Sequence, residues 1–243
     1  WTKDKEIFNH KLKVEFKGTL QSITRRQIQE YQTKLLDSGL APATCNRAIQ
    51  LIRHSLNLAV DWEMLEKNPA DRIKMFREEN EVERYLSDDQ LQSLLTVLKN
   101  DSNQPVSRII LMLLSCGTRL SETLHARWEN IDTSNRTWKI PVADAKSGKS
   151  RTVVLSEAAM TVLNECNDSN AWVFPNPQTG KPFVTVSRAW YRIRKEAGID
   201  NFRLHDLRHS YASYLAQAGE STITIAESLG HADYRVSQRY VHL

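Results

Sequence analysis

The chain has 243 residues, a length that suits two domains. Hydrophobic residues make up 40% and charged residues 26%, which is typical of a globular protein and excludes a largely disordered one. The 33 Lys and Arg exceed the 29 Asp and Glu by +4, a weak basic excess that permits a polyanionic partner without identifying one.

The first third of the sequence predicts a helical domain with a basic surface. Residues 1–77 hold fourteen Lys and Arg against nine Asp and Glu, a balance of +5. Thr24 and Gln27 have capping-box spacing, which predicts a helix to about Ser38. A longer helix is predicted from Pro42, and its apolar stripe consists of Cys45, Ile49, Ile52, Leu56 and Ala59 with Val60. We predict one helical domain over residues 1–76.

A charged stretch separates this domain from a second one. Residues 77–84 carry four glutamates and few apolar side chains, which indicates an interdomain linker, with a solvated helix face as the alternative. The second domain is predicted over 85–243. It contains a strongly apolar helix over 106–116, closed by Gly117, that should be buried. We expect Ser121 to cap a short helix directly after it.

Residues 137–155 predict the one clear hairpin of the sequence. Thr137–Val142 and Arg151–Leu155 are strand-like and flank a turn at Ala145–Lys149. Helices are predicted for most of the remainder, at about 156–166, 185–197, 205–218, 222–229 and 234–241. The fold class is therefore mainly α with a small β-hairpin or sheet, within the α+β class.

Cysteine usage and hydropathy indicate a cytoplasmic protein. Cys45, Cys116 and Cys166 lack metal-ligand spacing, and we interpret them as reduced thiols, the first two in the core. No apolar run is long enough to span a membrane, and no signal-peptide pattern opens the chain. Because the chain begins with Trp1 rather than Met, we expect it to be a fragment.

Two segments near the end of the chain carry side chains suited to catalysis. His205 and Arg208 are three residues apart on a predicted helix and share a face. Gly230 ends the next helix and places His231 in a turn, nine residues before Tyr240. Each feature alone is ordinary, and a turn histidine with a half-buried tyrosine is the plainer interpretation.

Two earlier segments add further charged groups. Arg119 follows the buried helix, and Glu122 three residues later could fix its guanidinium through an ion pair. A surface pair of little consequence is the alternative. Lys146 lies at the tip of the predicted hairpin, where a solvated lysine would be ordinary.

Together these segments supply what phosphodiester exchange requires. A phosphoryl group under attack spreads negative charge over its non-bridging oxygens, which the guanidinium forks of Arg119 and Arg208 can clamp. The phenol of Tyr240 can hold a phosphate covalently. Its unperturbed pKa of about 10 means that it needs a base or a positive field.

The remaining tasks are proton transfer and hydrogen bonding. His205 can supply base help, and Lys146 can protonate the leaving 5′ oxygen. His231 can donate a further hydrogen bond to the phosphate. Two arginines and a lysine already provide positive charge, so we expect neither a metal ion nor another cofactor.

The same segments resemble the tyrosine recombinases, a family that includes phage and genomic-island integrases and Xer-type recombinases. Order and approximate spacing agree throughout, and the helices before Asn68 and Pro69 are similar to the family's core-binding domain. The matching segments are Gly117–Glu122, Ala145–Lys149 with Arg151–Leu155, His205–His209, Leu229–His231 and Arg239–Tyr240.

The resemblance implies a two-domain C-shaped clamp around double-stranded DNA, with a helical core-binding domain and a catalytic domain. It implies that Tyr240 attacks a scissile phosphate, leaving a 3′-phosphotyrosine and a free 5′-hydroxyl, without metal or ATP. The implied roles are phosphate binding for Arg119, Arg208 and His231, acid–base catalysis for His205, and general acid catalysis for Lys146, with Lys149 as the rival.

The family also works as a homotetramer on paired recombination sites, in a bacterial cytoplasm, and accessory DNA-bending proteins can take part. Only three residues follow Tyr240, whereas relatives continue with a tail that docks on a neighbouring protomer, and no arm-binding domain precedes the helical domain.

Basic side chains elsewhere are candidates for following the DNA backbone. They are Arg47, Arg151, Arg188, Arg192, Arg203 and Arg235. Three alternatives stay open: a DNA-binding module without cleavage, a type IB topoisomerase, and a metal hydrolase. The metal hydrolase would use His205, His209, His231 and Asp206, although two nearby arginines would repel its cation.

Overall fold

The computed structural model of the chain describes residues 2–78, 84–145, 148–166, 169–231 and 233–240. The chain forms two compact units, Trp1–Val82 and Glu83–Leu243. Residues 79–83 of the predicted linker lie outside the described residues. None of the described helices is both long and apolar enough to cross a membrane.

The first unit is helical, and its two longest helices follow the predicted pattern. The Thr24 hydroxyl accepts a hydrogen bond from the Gln27 N–H, and the Gln27 side chain accepts one from the Thr24 N–H. The predicted stripe, including Cys45 and Ile49, is buried against Ile28. The helices are α1 Thr2–Ile7, α2 Lys13–Glu15, α3 Arg25–Asp37 and α4 Pro42–Asp61, with a π-helical turn at Phe8–Leu12 and a 3-10 turn at Leu20–Ser22.

The second unit combines helices with one small sheet. Its helices are α5 Asp88–Asn100, α6 Gln104–Cys116, α7 Leu120–Leu124, α8 Glu157–Asn164, α9 Ser187–Glu196, α10 Asp206–Gln217 and α11 Thr222–Leu229, with 3-10 segments at Trp128–Asn130 and Tyr234–Tyr240. Its strands are β1 Ile131–Asp132, β2 Thr137–Ile140 and β3 Arg151–Val154.

Helix α6 forms the centre of the second unit. Asn103 caps its N-terminus, and its apolar side chains lie in the core, among them Ile109, Met112 and Cys116. Helices α5, α8 and α10 pack around it, which agrees with the prediction that this helix is buried. Cys116 and Cys45 are both buried, and burial raises the pKa of the Cys116 thiol to about 12.

The predicted hairpin is part of a three-stranded antiparallel sheet in the order β1–β2–β3. Trp138 pairs with Val153 and Ile140 pairs with Arg151. The sequence predicted strands to Val142 and Leu155 and missed β1. Pro141 follows β2 directly, and because proline has no N–H to donate, the ladder ends at Ile140.

The C-terminal elements form a second, smaller core beside the main one. Ala212 of α10, Ile225 and Leu229 of α11, and Tyr240 of the last 3-10 segment are buried together. This packing holds the end of the described chain against α10, the helix that carries Arg208.

Candidate active site

The turn after α6 presents Arg119 and Glu122 as a fixed pair. The Glu122 carboxylate accepts hydrogen bonds from the Arg119 backbone N–H at 2.9 Å and from its Nη1 at 2.8 Å. Helix α7 begins at Leu120, so Ser121 lies inside it, and the expected Ser121 cap is wrong. A carboxylate at the third helical position supplies the cap instead by binding the N–H before the helix.

Arg151, the first residue of β3, is the second partner of Glu122. Its Nη2 donates to Glu122 at 2.8 Å, and its Nη1 donates to the Ser228 carbonyl at 2.8 Å. The side chain is 11% exposed, and Nε has no acceptor among the described residues. Arg151 therefore lies inside the cluster, where it joins the α7 turn to α11, and its role as a candidate for following the DNA backbone stays a prediction.

Glu122 holds this cluster together electrostatically. Burial alone would raise the pKa of Glu122, but the Arg119 N–H and the charge of Arg151 outweigh it, so the pKa falls below its usual range. The carboxylate therefore stays charged at neutral pH. It binds two guanidinium groups at once, and these bonds fix the direction in which Arg119 points.

Arg208 of α10 is buried at 3% exposure between the ends of two other helices. Its Nη1 donates to the Gly117 carbonyl after α6 at 2.8 Å, and its Nη2 donates to the Leu229 carbonyl of α11 at 2.6 Å. Helix C-termini carry partial negative charge, so these carbonyls are suitable acceptors for a cation.

The electrostatic surroundings of Arg208 favour an anion. Burial, followed by the charges of Arg119 and Arg151, lowers the pKa of Arg208 to about 9, while Glu122 and Tyr240 act in the opposite direction. The guanidinium is still charged at pH 7. Three guanidinium groups thus lie near one carboxylate, and an incoming phosphate would relieve their mutual repulsion.

Glycines end both helices that Arg208 bridges. Gly117 and Gly230 have positive φ angles of 60° and 65°, in the left-handed region that glycine adopts without strain. A Cβ at Gly230 would collide with the side chain of Arg151. The Gly230 carbonyl also accepts from Arg119 Nη2 at 3.4 Å, so this turn contacts two of the arginines.

Gly230→Ala is expected to destabilise the protein and to slow any reaction at this site. A left-handed alanine costs roughly 1–2 kcal/mol, and the collision with Arg151 adds the cost of displacing a buried, hydrogen-bonded side chain. Gly198→Ala is the matched control, since Gly198 has φ 69° and no atom within 4 Å of its added Cβ. Urea denaturation should show a loss at least about 1 kcal/mol greater for Gly230→Ala. Equal losses would contradict the packing of Arg151 against this turn.

His231 and His205 lie at the edges of the arginine cluster. His231 follows Gly230, and its Nδ1 contacts the Ser237 hydroxyl at 2.8 Å, which fixes the ring orientation. His205 is the residue before α10 rather than a residue within the helix, and much of its surface is exposed. Burial of part of its ring, then the charge of Arg208, lowers the pKa of His205, so the ring is neutral at pH 7.

Tyr240 is buried at 3% exposure, more deeply than the half-buried tyrosine of the plainer interpretation. Its hydroxyl lies 2.6 Å from Nδ1 of His209, the residue after Arg208. This contact holds the phenol against α10, the helix that carries Arg208. Sequence reasoning gave His209 no role beside Tyr240. The contact joins residues 31 apart, so no local spacing in the sequence could have shown it.

Of the two hairpin lysines, the structure describes only Lys149. Lys146, the expected general acid, lies outside the described residues. Lys149, its rival, is described and exposed next to Gly148. The choice between the two lysines therefore stays a prediction.

The other basic candidates lie on the surface, most of them in ion pairs. Arg192 pairs with Asp101 at 2.6 Å, Arg203 with Asp206 at 2.8 Å and Arg235 with Asp233 at 2.7 Å. Arg235 and Asp233 are both exposed, and a pair of that kind contributes little to stability, so Arg235 can exchange its carboxylate for a phosphate. The carboxylates of Asp101 and Asp206 are buried, so moving Arg192 or Arg203 to a phosphate would take a donor from a buried charge. Arg188 on α9 and Arg47 on α4 are also exposed.

A cavity of about 580 Å³ adjoins His205. Arg84, Arg194 and Arg203 line it together with Tyr191. The basic side chains that line this cavity extend the positively charged region from the buried arginines to α9.

The site can therefore bind an anion and bring a phenol to it. Arg208 has five N–H donors, of which the described residues occupy two, so further donors can bind a phosphate. The described residues contain no group of three His, Cys, Asp or Glu side chains that could hold a metal ion. Asp206, the acid of the metal-hydrolase alternative, is bonded to Arg203.

Comparison with known proteins identifies the family. Residues 84–243 match the model of the phage integrase family, and the chain belongs to that family. The match spans Arg119, Arg151, His205, Arg208, His231 and Tyr240.

The chain is similar over most of its length to integrases and Xer-type recombinases. It is 28% identical to the integrase of Salmonella phage P22, over 93% of this chain and 64% of that protein. It is 28% identical to tyrosine recombinase XerD of Rickettsia bellii, over 91% of this chain and 80% of that protein. The chain spans 64% of the phage P22 integrase and 61% of the phage P2 integrase, so these relatives are considerably longer.

Solved structures share the fold. The Tn1549 transposon integrase in complex with transposon right end DNA has a TM-score of 0.83 at 18% identity, over 98% of this chain and 88% of that chain. A lambda integrase tetramer bound to a Holliday junction has a TM-score of 0.78 at 17% identity, over 96% and 71%. The prediction of a mainly helical fold with a small antiparallel sheet is confirmed.

Proposed function

We propose that the protein is a site-specific DNA recombinase that cleaves and rejoins duplex DNA through a 3′-phosphotyrosine bond to Tyr240. The observation that carries this proposal is the convergence of Arg119, Arg208 and Tyr240 from three separate elements. Arg119 and Arg208 donate to the adjacent carbonyls of Gly230 and Leu229, and the Tyr240 hydroxyl contacts His209, the residue after Arg208. Family membership and the named relatives support the same reaction.

Phosphate binding is the first step of the proposed mechanism. Arg119, oriented by Glu122, and Arg208, held between two helix ends, donate to the non-bridging oxygens of the scissile phosphate. His231, fixed by Ser237, adds a further donor. These donors are in place before DNA arrives, so little reorganisation accompanies the build-up of charge in the transition state.

Transesterification follows and needs no external energy source. The Tyr240 oxygen attacks phosphorus, the bond to the 5′ oxygen breaks, and a lysine of the hairpin, Lys146 by the family resemblance, protonates the leaving oxygen. One phosphodiester bond is exchanged for another, so a 5′-hydroxyl from another strand can reverse the step and rejoin the DNA. This reversibility distinguishes strand exchange from hydrolysis.

We propose double-stranded DNA as the partner of both parts of the chain. Residues 1–76 would form a DNA-binding domain and residues 85–243 the catalytic domain, joined by a linker over 77–84. The basic balance of the first 77 residues and the arginine-lined cavity beside His205 support this assignment. The likeness to a lambda integrase tetramer on a Holliday junction supports assembly as a homotetramer on paired sites. We place the reaction in a bacterial cytoplasm, as the phage and bacterial sources of the relatives suggest.

Covalent capture tests the proposal. The protein is mixed with sheared DNA from its source in EDTA without nucleotides, stopped with SDS, and the DNA that remains attached is sequenced. We expect recurring attachment sites, with the modified residue mapping to Tyr240. Binding of DNA without any SDS-stable adduct would instead support a module that binds without cleaving.

A further inference from the structure

The nucleophile of the proposed reaction contacts a histidine that the family resemblance does not assign to catalysis. The Tyr240 hydroxyl lies 2.6 Å from His209 Nδ1, and the two ring centroids are 6.0 Å apart. In the tautomer of His209 that carries its proton on Nε2, Nδ1 accepts this hydrogen bond and the phenolic O–H donates it.

His205 lies in a different position relative to the same groups. Its ring contacts His209 edge to face, with centroids 5.1 Å apart. The charges that act on it are those of Arg208, Asp206, Arg203 and Arg119, of which Arg208 and Arg119 belong to the proposed phosphate-binding group. The two histidines are thus one helical turn apart, with His205 towards the arginines and His209 at the phenol.

The contact between His209 and Tyr240 is fixed from both sides. Arg208, the neighbour of His209 on α10, is bonded to the ends of α6 and α11, which holds this turn in place. Tyr240 packs in the buried cluster with Ala212 and Leu229. The acceptor and the hydroxyl are therefore placed before DNA binds, as a general base and its nucleophile must be.

Resting on the proposed function, we infer that His209 is the general base that takes the proton of Tyr240 during strand cleavage. The Tyr240 O–H bond breaks as an N–H bond forms at His209 Nδ1. The phenolic electron pair forms the bond to phosphorus, and the bond from phosphorus to the 5′ oxygen breaks, with its electrons taking a proton from the acid. In rejoining, His209 returns its proton to the phenolic oxygen. In this assignment His205 acts on the phosphate rather than on the phenol.

His209→Asn separates proton transfer from positioning. The asparagine oxygen can accept the phenolic hydrogen bond near the place of Nδ1 but cannot take the proton. With the DNA fragments recovered by covalent capture, we expect His209→Asn to form the Tyr240 adduct at least about 100-fold more slowly than wild type. The matched control is His125→Asn, which removes an exposed histidine whose Nδ1 contacts the Ser121 carbonyl, and it should cleave at the wild-type rate.

Two substitutions of reacting groups identify the step that fails. A fluorinated tyrosine at position 240, with a lower phenol pKa, should restore much of the rate of His209→Asn, because less proton transfer is needed. DNA with sulfur in place of the 5′ bridging oxygen should not restore it, since sulfur relieves only the need for an acid. Rescue by the sulfur substrate, or no rescue by the fluorinated tyrosine, would overturn the assignment.

A measurement without DNA checks the contact itself. With tyrosine labelled at Cζ, NMR should show a Tyr240 signal, assigned from Tyr240→Phe, that moves in His209→Asn while the signals of Tyr31 and Tyr214 do not. An unmoved signal, or wild-type cleavage by His209→Asn, overturns the inference while the proposed function stands. Failure of the wild-type protein to form any adduct refutes the proposed function itself.

Discussion

Tyr240→Phe is expected to abolish the covalent adduct with DNA and to leave DNA binding intact. The change removes the phenolic oxygen that would form the bond to phosphorus. The ring remains buried with Ile225 and Leu229, so the small C-terminal core should persist. Loss of the hydrogen bond to His209 costs about 1 kcal/mol, because the half-buried histidine can bind water instead. SDS gel electrophoresis measures the adduct, and fluorescence anisotropy measures binding.

Tyr214→Phe is the matched control for this experiment. Tyr214 is in the same helix as His209 and also loses one hydrogen bond, to the Leu86 carbonyl at 3.0 Å. Burial raises the pKa of Tyr214 to about 12, which makes it a poor nucleophile. Tyr214→Phe should therefore keep the adduct at the wild-type yield. An adduct in Tyr240→Phe would mean that another side chain attacks DNA.

Local pattern was sufficient to predict the helices and several of their caps. Thr24 with Gln27 forms the predicted capping box, because this short motif satisfies the same backbone groups in any fold. The apolar run of α6 correctly predicted its burial. The Ser121 cap failed because the Glu122 carboxylate caps the turn through the Arg119 N–H, and Arg119 is itself fixed by its bond to Gly230 from a distant part of the chain.

The inward position of Arg151 depends on a tertiary contact that the sequence does not reveal. Arg151 was expected at the surface because arginine is usually solvated. Yet Arg151, Val153 and Leu155 are every second residue of an extended segment, so their side chains point to the same side, and Val153 and Leu155 are buried there. The alternation was visible in the sequence. The Glu122 carboxylate that makes an inward arginine tolerable lies 29 residues away, so no local pattern could reveal it.

The family motifs predicted which residues form the site, while the roles of their neighbours needed the coordinates. Arg119, Arg208, His205, His231 and Tyr240 do lie around one region of the second unit. His209 is adjacent to Arg208 in the sequence, but its contact with Tyr240 depends on how the last 3-10 segment packs on α10 and α11. A separation of 31 residues hides that contact from any periodicity.

Arg208→Lys is expected to reduce the rate of adduct formation by at least about 100-fold, although the side chain stays cationic in water. Two different nitrogens of Arg208 donate to the Gly117 and Leu229 carbonyls, and further N–H groups of the same fork are left for phosphate. A single ammonium on a shorter stem cannot bridge the two helix ends and bind phosphate as well. One buried carbonyl then loses its donor, which also lowers the free energy of unfolding.

The pH dependence of this variant separates loss of geometry from loss of charge. Burial and the charges of Arg119 and Arg151 lower the pKa of Arg208 to about 9, so the wild-type guanidinium is charged through pH 8. A lysine begins from a lower unperturbed pKa of about 10.4, and the same surroundings lower its pKa further, so raising the pH from 6.5 to 8.5 removes its charge.

The residual rate of Arg208→Lys, relative to wild type, should therefore fall as the pH rises over that range. Arg136→Lys, at an exposed arginine paired with Glu157, should track wild type throughout. A constant ratio at a low rate would assign the whole defect to the lost fork. A wild-type rate at any pH would remove Arg208 from the active site, and with it the phosphate clamp on which the proposed reaction depends.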